Sequence, residues 1–107
     1  MAVYKRGETI DIILACETDA EWDAIYPNEF ALAEAKIGNQ VYTFDTEVDV
    51  ETRTMGFSAD TSNWEIGDGQ ADIKIRKNGR NTFLPKGDTY IEFSIVAAIS
   101  DESDNGN

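Results

Sequence analysis

The chain has 107 residues, of which 41% are hydrophobic and 28% are charged, so it can form one globular core but not two. Nine Lys and Arg against 21 Asp and Glu leave a net charge of −12, which argues against a nucleic-acid-binding surface and against docking on an anionic membrane. With no histidine and one cysteine, a His-based general base, an internal disulfide and a multi-Cys zinc site are excluded.

Alternating apolar and polar residues predict β-strands along most of the chain. The predicted strands span residues 9–16, 30–37, 40–51, 55–59, 71–76, 82–84 and 91–99. The segment 40–51 reads as one long strand with an apolar side and an acidic side. Two segments between strands, 19–26 and 60–64, each favour a short helical turn.

Turn signals separate the predicted strands. Asn78-Gly79 favours a two-residue hairpin, because both central positions of a type I′ turn need a positive φ. About seven strands at spacings of roughly 8–12 residues predict an antiparallel β-sandwich over residues 1–99, with a small barrel as the alternative. Residues 100–107 are polar and acidic, and we expect them to form a C-terminal tail.

The charges are sorted along the chain. Residues 8–51 contain twelve acids and one base, whereas residues 74–86 contain five bases and no acid. If the strand order separates these segments, the domain has an acidic face and a basic end, which suits head-to-tail packing or an oriented partner. The simpler interpretation for Lys74 and Arg76 is pairing with acids on adjacent strands. Lys77, Arg80 and Lys86 lie at turns and are therefore candidates for contact with a partner.

Four acids alternate along the solvent side of the predicted long strand. They are Asp45, Glu47, Asp49 and Glu51. Such an acidic face offers oxygen ligands to a cation or charge to a basic partner, or it protects a sheet edge from aggregation. Side chains two apart on a strand lie about 6.6–6.8 Å from one another and do not converge on one ion. We therefore expect no metal site and no cofactor.

Aromatic residues supply the other candidate contacts. Trp22 and Tyr26 lie in the loop-like segment 19–29, and loop aromatics are common anchors at protein interfaces. We therefore expect both side chains to be exposed partner contacts, whereas Trp64 is expected to pack in the core. A glycan-stacking platform that also uses Tyr90 is the alternative. The hydroxyl side chains lack a histidine base, so we expect no enzyme activity and no catalytic residue.

Several short motifs follow one another in a distinctive order. They are KRGET at 5–9, TSNWEIG at 61–67, Asp72-Ile73, Asn78-Gly79 and Gly87. In this order the chain resembles a family of small bacteriophage virion proteins with immunoglobulin-like sandwiches, similar in pattern to N-terminal domains of phage baseplate and fibre-attachment proteins.

The resemblance implies an immunoglobulin-like module without catalytic residues that docks through loops or sheet edges in many copies. We therefore expect a structural protein of a tailed phage, on the tail, baseplate or fibre attachment, with a capsid decoration protein as the alternative. A carbohydrate- or receptor-binding module is a further alternative. The expected partners are other virion proteins, with possible self-association in a symmetric assembly. The expected location is the virion, assembled in the cytoplasm of the host bacterium.

Overall fold

The computed structural model describes residues 1–100, and within them it contains nine strands and one helix. In chain order these are β1 (Ala2–Lys5), β2 (Thr9–Ala15), α1 (Asp19–Ile25), β3 (Phe30–Ile37), β4 (Gln40–Thr43), β5 (Asp45–Asp49), β6 (Thr54–Asp60), β7 (Gly67–Lys77), β8 (Arg80–Leu84) and β9 (Ile91–Val96). Of the predicted tail, residues 101–107 lie outside the described part of the chain. The described residues include no helix with the length and apolar character needed to cross a bilayer.

The strands form two sheets that pack face to face as a sandwich. The larger sheet has the order β1-β9-β7-β3-β4, and β8 pairs with the second half of β7. The smaller sheet has the order β2-β6-β5. This division is that of an immunoglobulin-like sandwich, in which strands B, E and D, here β2, β6 and β5, oppose strands G, F and C, here β9, β7 and β3. The predicted all-β sandwich is therefore confirmed, although β1, which was not predicted, runs parallel to β9.

The predicted long strand at 40–51 is divided between the two sheets. Phe44 is buried between β4 and β5, and its backbone N–H donates to the carbonyl of Ala33 at 3.0 Å. The chain leaves the larger sheet before Phe44 and enters the smaller sheet after it. The prediction of one continuous strand is therefore wrong. Val48 lies opposite the buried Met55 but is partly exposed on β5, the last strand of the smaller sheet, and Val50 is exposed in the turn after β5.

Asp60 ends β6, and residues 61–64 form a single turn, closed by the Trp64 N–H donating to the Thr61 carbonyl at 3.0 Å, where a helical turn was expected. This turn joins two of the sequence motifs. The hydroxyl of Thr61 accepts from the Gly7 N–H at 2.9 Å and donates to the Glu8 carbonyl at 2.7 Å. Thr61 is fully buried, so these bonds satisfy a hydroxyl that has no access to water. The motifs at 5–9 and 61–67 thus form one structural junction at the end of the sandwich.

Trp64 packs into the core beside that junction, as predicted. It is 6% exposed and stacks on Tyr42 with 4.5 Å between ring centroids. Phe44 meets it edge-on at 5.7 Å, and Phe93 lies at 6.1 Å. We call Tyr42, Phe44, Trp64 and Phe93 the Trp64 cluster. These rings close the sandwich at the end where β7 begins.

Candidate partner-binding surfaces

The helix α1 begins at a capping box. The Glu21 N–H donates to the Thr18 hydroxyl at 3.1 Å, and the Thr18 N–H donates to the Glu21 carboxylate at the same distance. The helix then places Trp22 and Ile25, three residues apart, on one buried face. The helical turn expected at 19–26 is thereby confirmed.

The prediction that Trp22 is an exposed anchor is wrong. Its side chain is 6% exposed and belongs to the core, and it stacks on Tyr26 with 4.9 Å between ring centroids. The cause is the helical spacing, which turns Trp22 inward together with Ile25. Tyr26 is half-buried and packs against the same core. Neither aromatic ring stands out as a free anchor.

Lys77 ties the end of β7 to the end of α1. Its ammonium group donates to the carbonyls of Asp23 and Tyr26, the latter at 3.4 Å. Carbonyls at a helix C-terminus lack partners within the helix and carry partial negative charge, so a lysine there stabilises the helix end. Lys77 is therefore occupied by a contact within the domain.

The other two predicted basic contacts are exposed but lie apart. Arg80 begins β8 beside the Asn78-Gly79 turn, whereas Lys86 follows the opposite end of that strand. The length of β8 separates the two cations, so the structure does not bring Lys77, Arg80 and Lys86 together as one basic site.

The outer face of the larger sheet carries a group of rings and cations near the β7–β8 turn. It consists of Phe30 on β3, Lys74 and Arg76 on β7, and Phe83 on β8, and we call it the cation–aromatic surface. Lys74 is opposite Phe83, and Arg76 is opposite Phe30. The intervening Ile75 is buried, so these side chains point away from the core.

The two cations are held against the ring faces. The Lys74 Nζ lies 5.6 Å from the Phe30 ring centroid and 5.8 Å from that of Phe83. The Arg76 Cζ lies 5.2 Å from the Phe30 centroid, and its Nε donates to the Asn81 side-chain oxygen at 2.9 Å. Each such cation–π contact contributes about 0.5–1 kcal/mol at an exposed site. These contacts fix the cations in position without neutralising them.

The expected pairing of Lys74 and Arg76 with acids on adjacent strands is wrong. The cross-strand neighbours of Lys74 are Leu32 and Phe83. Those of Arg76 are Phe30 and Asn81. Among residues 1–100, neither cation has a carboxylate within ion-pair distance, whereas Arg53 does pair with Asp19 at 2.8 Å. Neither cation is therefore ion-paired, although Asp72 and Glu34 lie on the same face, two residues along their strands from Lys74 and its partner Leu32.

The outer face of the smaller sheet is acidic. It carries four acids, namely Asp11 on β2 and Asp45, Glu47 and Asp49 on β5. The buried Met55 and Phe57 of β6 point from the other side of the sheet into the core. We call these four acids, with the exposed Ile13 between them, the acidic sheet face. Glu51 lies in the turn after β5, where its N–H donates to the Asp49 carboxylate at 3.1 Å. Three of the four predicted acids thus share one face, and Glu51 lies beyond it.

A groove crosses the acidic sheet face. Gly56 forms its floor on the middle strand, directly between Ile13 and Glu47 in the strand register. Ile13, Glu47, Asp49 and Thr54 line a volume of about 280 Å³ above it. Ile13 is 70% exposed, which leaves an apolar wall beside acidic ones. Among residues 1–100, no group of three or more metal-ligating side chains converges on one point.

Cys16 does not contribute to these surfaces. Burial raises the pKa of its thiol, the negative charge of Glu21 raises it further, and Arg53 opposes both effects. A thiol with a raised pKa is protonated at neutral pH and is therefore a weak nucleophile. Cys16 is partly buried and packs against the core directly after β2.

Phe30, Phe83 and Ile13 were not among the contact residues predicted from the sequence. A signal for one of them was present, because a two-residue turn at Asn78-Gly79 fixes the pairing of the strands on either side. That pairing places Phe83 opposite Lys74. No comparable local signal places Phe30 beside Arg76, because β3 and β7 are far apart in the chain.

Comparison with known proteins supports the fold alone. No protein-family model and no curated protein matches the chain. Among solved structures, an endo-β-1,4-mannanase from Thermotoga petrophila matches with a TM-score of 0.57 and 12% identity, over 91% of this chain and 18% of the enzyme. An internalin-like protein of Listeria monocytogenes matches with a TM-score of 0.47 and 13% identity, over 91% of this chain and 27% of that protein. The chain thus spans less than a third of either protein.

Proposed function

We propose that the protein is a non-enzymatic, immunoglobulin-like structural module of a tailed-phage virion, which docks on the tail, baseplate or fibre attachment. The observation that carries this proposal is the cation–aromatic surface. Arginine and aromatic residues are enriched at protein interfaces, where they provide most of the binding energy. Here they lie on an exposed sheet face and have no acidic partner within the described domain.

The rigidity of this surface favours docking. Phe30, Lys74 and Phe83 lie on three paired strands, so their backbones are already ordered before a partner arrives. The ring contacts restrict the lysine and arginine side chains further. Binding then costs less conformational entropy than it would on a mobile loop.

The order of the sequence motifs supports the virion assignment. Residues 5–9 and 61–67, which carry the resemblance to phage virion proteins, meet at the buried Thr61 hydroxyl. These motifs therefore contribute to the fold. A family that shares such motifs is one that shares a scaffold, as the proposal requires.

A capsid decoration protein would use the same surface on the head of the particle, and it is the alternative that an imaging experiment separates from the leading proposal. A carbohydrate-binding module is less favoured. The predicted stacking platform loses both tryptophans, because Trp22 and Trp64 are buried, and Tyr90 alone is exposed at 47%. The mannanase resembles this chain over a small part of its length, so its activity does not transfer.

The proposal is tested by imaging particles released from cells that encode and express the chain. An epitope-tagged wild type is compared with the double variant Lys74→Gln/Arg76→Gln, and Lys86→Gln is the control because it removes an exposed charge elsewhere. We expect label on the tail, at least a tenfold loss of label for the double variant, and no loss for the control.

The other outcomes are equally informative. Label over the head facets would overturn the tail assignment in favour of capsid decoration. Absence of the wild type from the particles would overturn the virion assignment. Equal incorporation of the double variant and the control would show that docking does not use the cation–aromatic surface.

A further inference from the structure

We propose that the cation–aromatic surface of one copy binds the acidic sheet face of a second copy, with Phe83 in the groove above Gly56. The inference rests on the proposed function only in taking the cation–aromatic surface as a docking surface. It names the occupant of that surface, namely another molecule of this same chain.

The charges of the two surfaces are complementary. Lys74 and Arg76 have no carboxylate partner among residues 1–100, and the cross-strand register brings no base to the acidic sheet face. Contact between them would bring two cations against carboxylates of β5, among them Asp45 and Glu47. At 0.15 M salt, charges more than about 8 Å apart are largely screened. Close contacts of opposite sign can therefore outweigh the general repulsion between two acidic molecules.

The shapes of the two surfaces are also complementary. The Phe83 ring is 47% exposed on the outer face of β8, beside Lys74. The groove above Gly56, with its volume of about 280 Å³, has no side chain on its floor and has Ile13 as an apolar wall. A phenyl ring in this groove would cover the exposed Ile13 and remove apolar surface of both copies from water.

The positions of the two surfaces determine how copies would be arranged. They lie on the outer faces of different sheets, so one copy can use both surfaces at once. The contact is heterologous, and its repetition produces a ring or an open chain of molecules. This agrees with a protein that decorates a repeating structure in many copies.

Two variants separate the two halves of the proposed contact. Phe83→Ala/Lys74→Gln removes the ring and one cation. Gly56→Thr fills the groove, and a Cβ at Gly56 meets only the Glu47 carbonyl oxygen at 3.9 Å, which is ordinary contact. Threonine also favours strands, so this variant should keep the fold. Lys86→Gln is the control, and circular dichroism checks that every variant is folded.

The test is analytical ultracentrifugation of the purified full chain at 0.15 M salt over a range of concentrations. We expect the wild type and the control to associate, and we expect each variant to associate at least tenfold more weakly. Each variant retains one intact surface, so an equimolar mixture of the two should form a heterodimer and nothing larger. That complementation identifies the contact as head-to-tail.

Several results would overturn the inference. A wild type that is monomeric up to millimolar concentration would do so, as would variants that associate like the wild type. Association of the wild type without heterodimers in the mixture would exclude the pairing of these two faces. A monomeric protein that still labels particles would overturn this inference alone, whereas a self-associating protein absent from particles would overturn only the virion proposal.

Discussion

The larger sheet carries aromatic side chains at both ends, in opposite roles. At the start of β7, the rings of the Trp64 cluster face one another inside the sandwich. At the far end of the same strand, Phe30 and Phe83 lie outside and face cations. The presence of an aromatic residue alone therefore does not indicate whether its ring is buried in the core or lies on the outer face. The rings of the Trp64 cluster stabilise the fold, whereas Phe30 and Phe83 lie on the outer face, where we propose that a partner docks.

The largest expected effect is the difference in stability between a variant that lacks a ring at the Trp64 end of the larger sheet and one that lacks a ring at the Phe83 end. We expect Trp64→Ala to lower the free energy of unfolding by about 3–5 kcal/mol, because it leaves a cavity in the core. Phe83→Ala should lower it by less than about 1 kcal/mol, since it removes only a cation–π contact and partly exposed surface. Urea unfolding of both variants measures the difference. Similar losses for the two variants would contradict the assignment of opposite roles.

The Thr61 junction is expected to have the next largest effect. Thr61→Val keeps the shape of the side chain but leaves the Gly7 N–H without its acceptor and the Glu8 carbonyl without its hydroxyl donor. The net contribution of a hydrogen bond to stability is about 0.5–1.5 kcal/mol, and we expect a loss of that size in urea unfolding, because Gly7 and Glu8 are exposed and the Glu8 carbonyl keeps the Thr61 N–H as a donor. Thr61→Ser retains the hydroxyl and is the matched control. If valine and serine were equivalent, the hydrogen bonds would not stabilise this end of the sandwich.

The smallest expected effect is a difference in stability between variants of two lysines near the far end of β7. Lys77→Met removes the contact with the helix carbonyls and should destabilise the protein by about 0.3–1 kcal/mol. Lys74→Met keeps the alkyl chain on the rings, so we expect no comparable loss of stability but weaker self-association. Thermal unfolding and ultracentrifugation of both variants measure these effects. A reversed order would show that Lys74, and not Lys77, is the structural lysine.

Much of the fold could be predicted because it depends on local patterns. Alternation predicts β2, β6, β7 and β9, since inward positions of a strand are apolar whatever the strand's partner is. The Asn78-Gly79 turn was predicted from the need for positive φ, and both residues have it, at 53° and 75°. Trp64 was expected in the core and is buried there.

The predictions that proved wrong depended on distant neighbours. Trp22 looked exposed because its segment resembles a loop, but α1 packs it against strands that follow much later in the chain. The segment 40–51 alternates throughout, and alternation does not reveal that Phe44 crosses between sheets. The predicted pairing of Lys74 and Arg76 with acids was wrong because the register between β3 and β7 decides their neighbours, and neither strand alone reveals that register.

The sequence by itself determined the sandwich, the inward side of most strands, the tight hairpin and the acidic net charge. Only the tertiary structure decided which outward side chains share a surface. In the folded domain, Lys74 and Arg76 lie beside the rings of Phe30 and Phe83. Acids from β2 and β5 lie on the same sheet face as the groove above Gly56. The physical reason is that each outer face is assembled by pairing between strands remote in the chain, and a shift of one residue would turn every side chain to the other face.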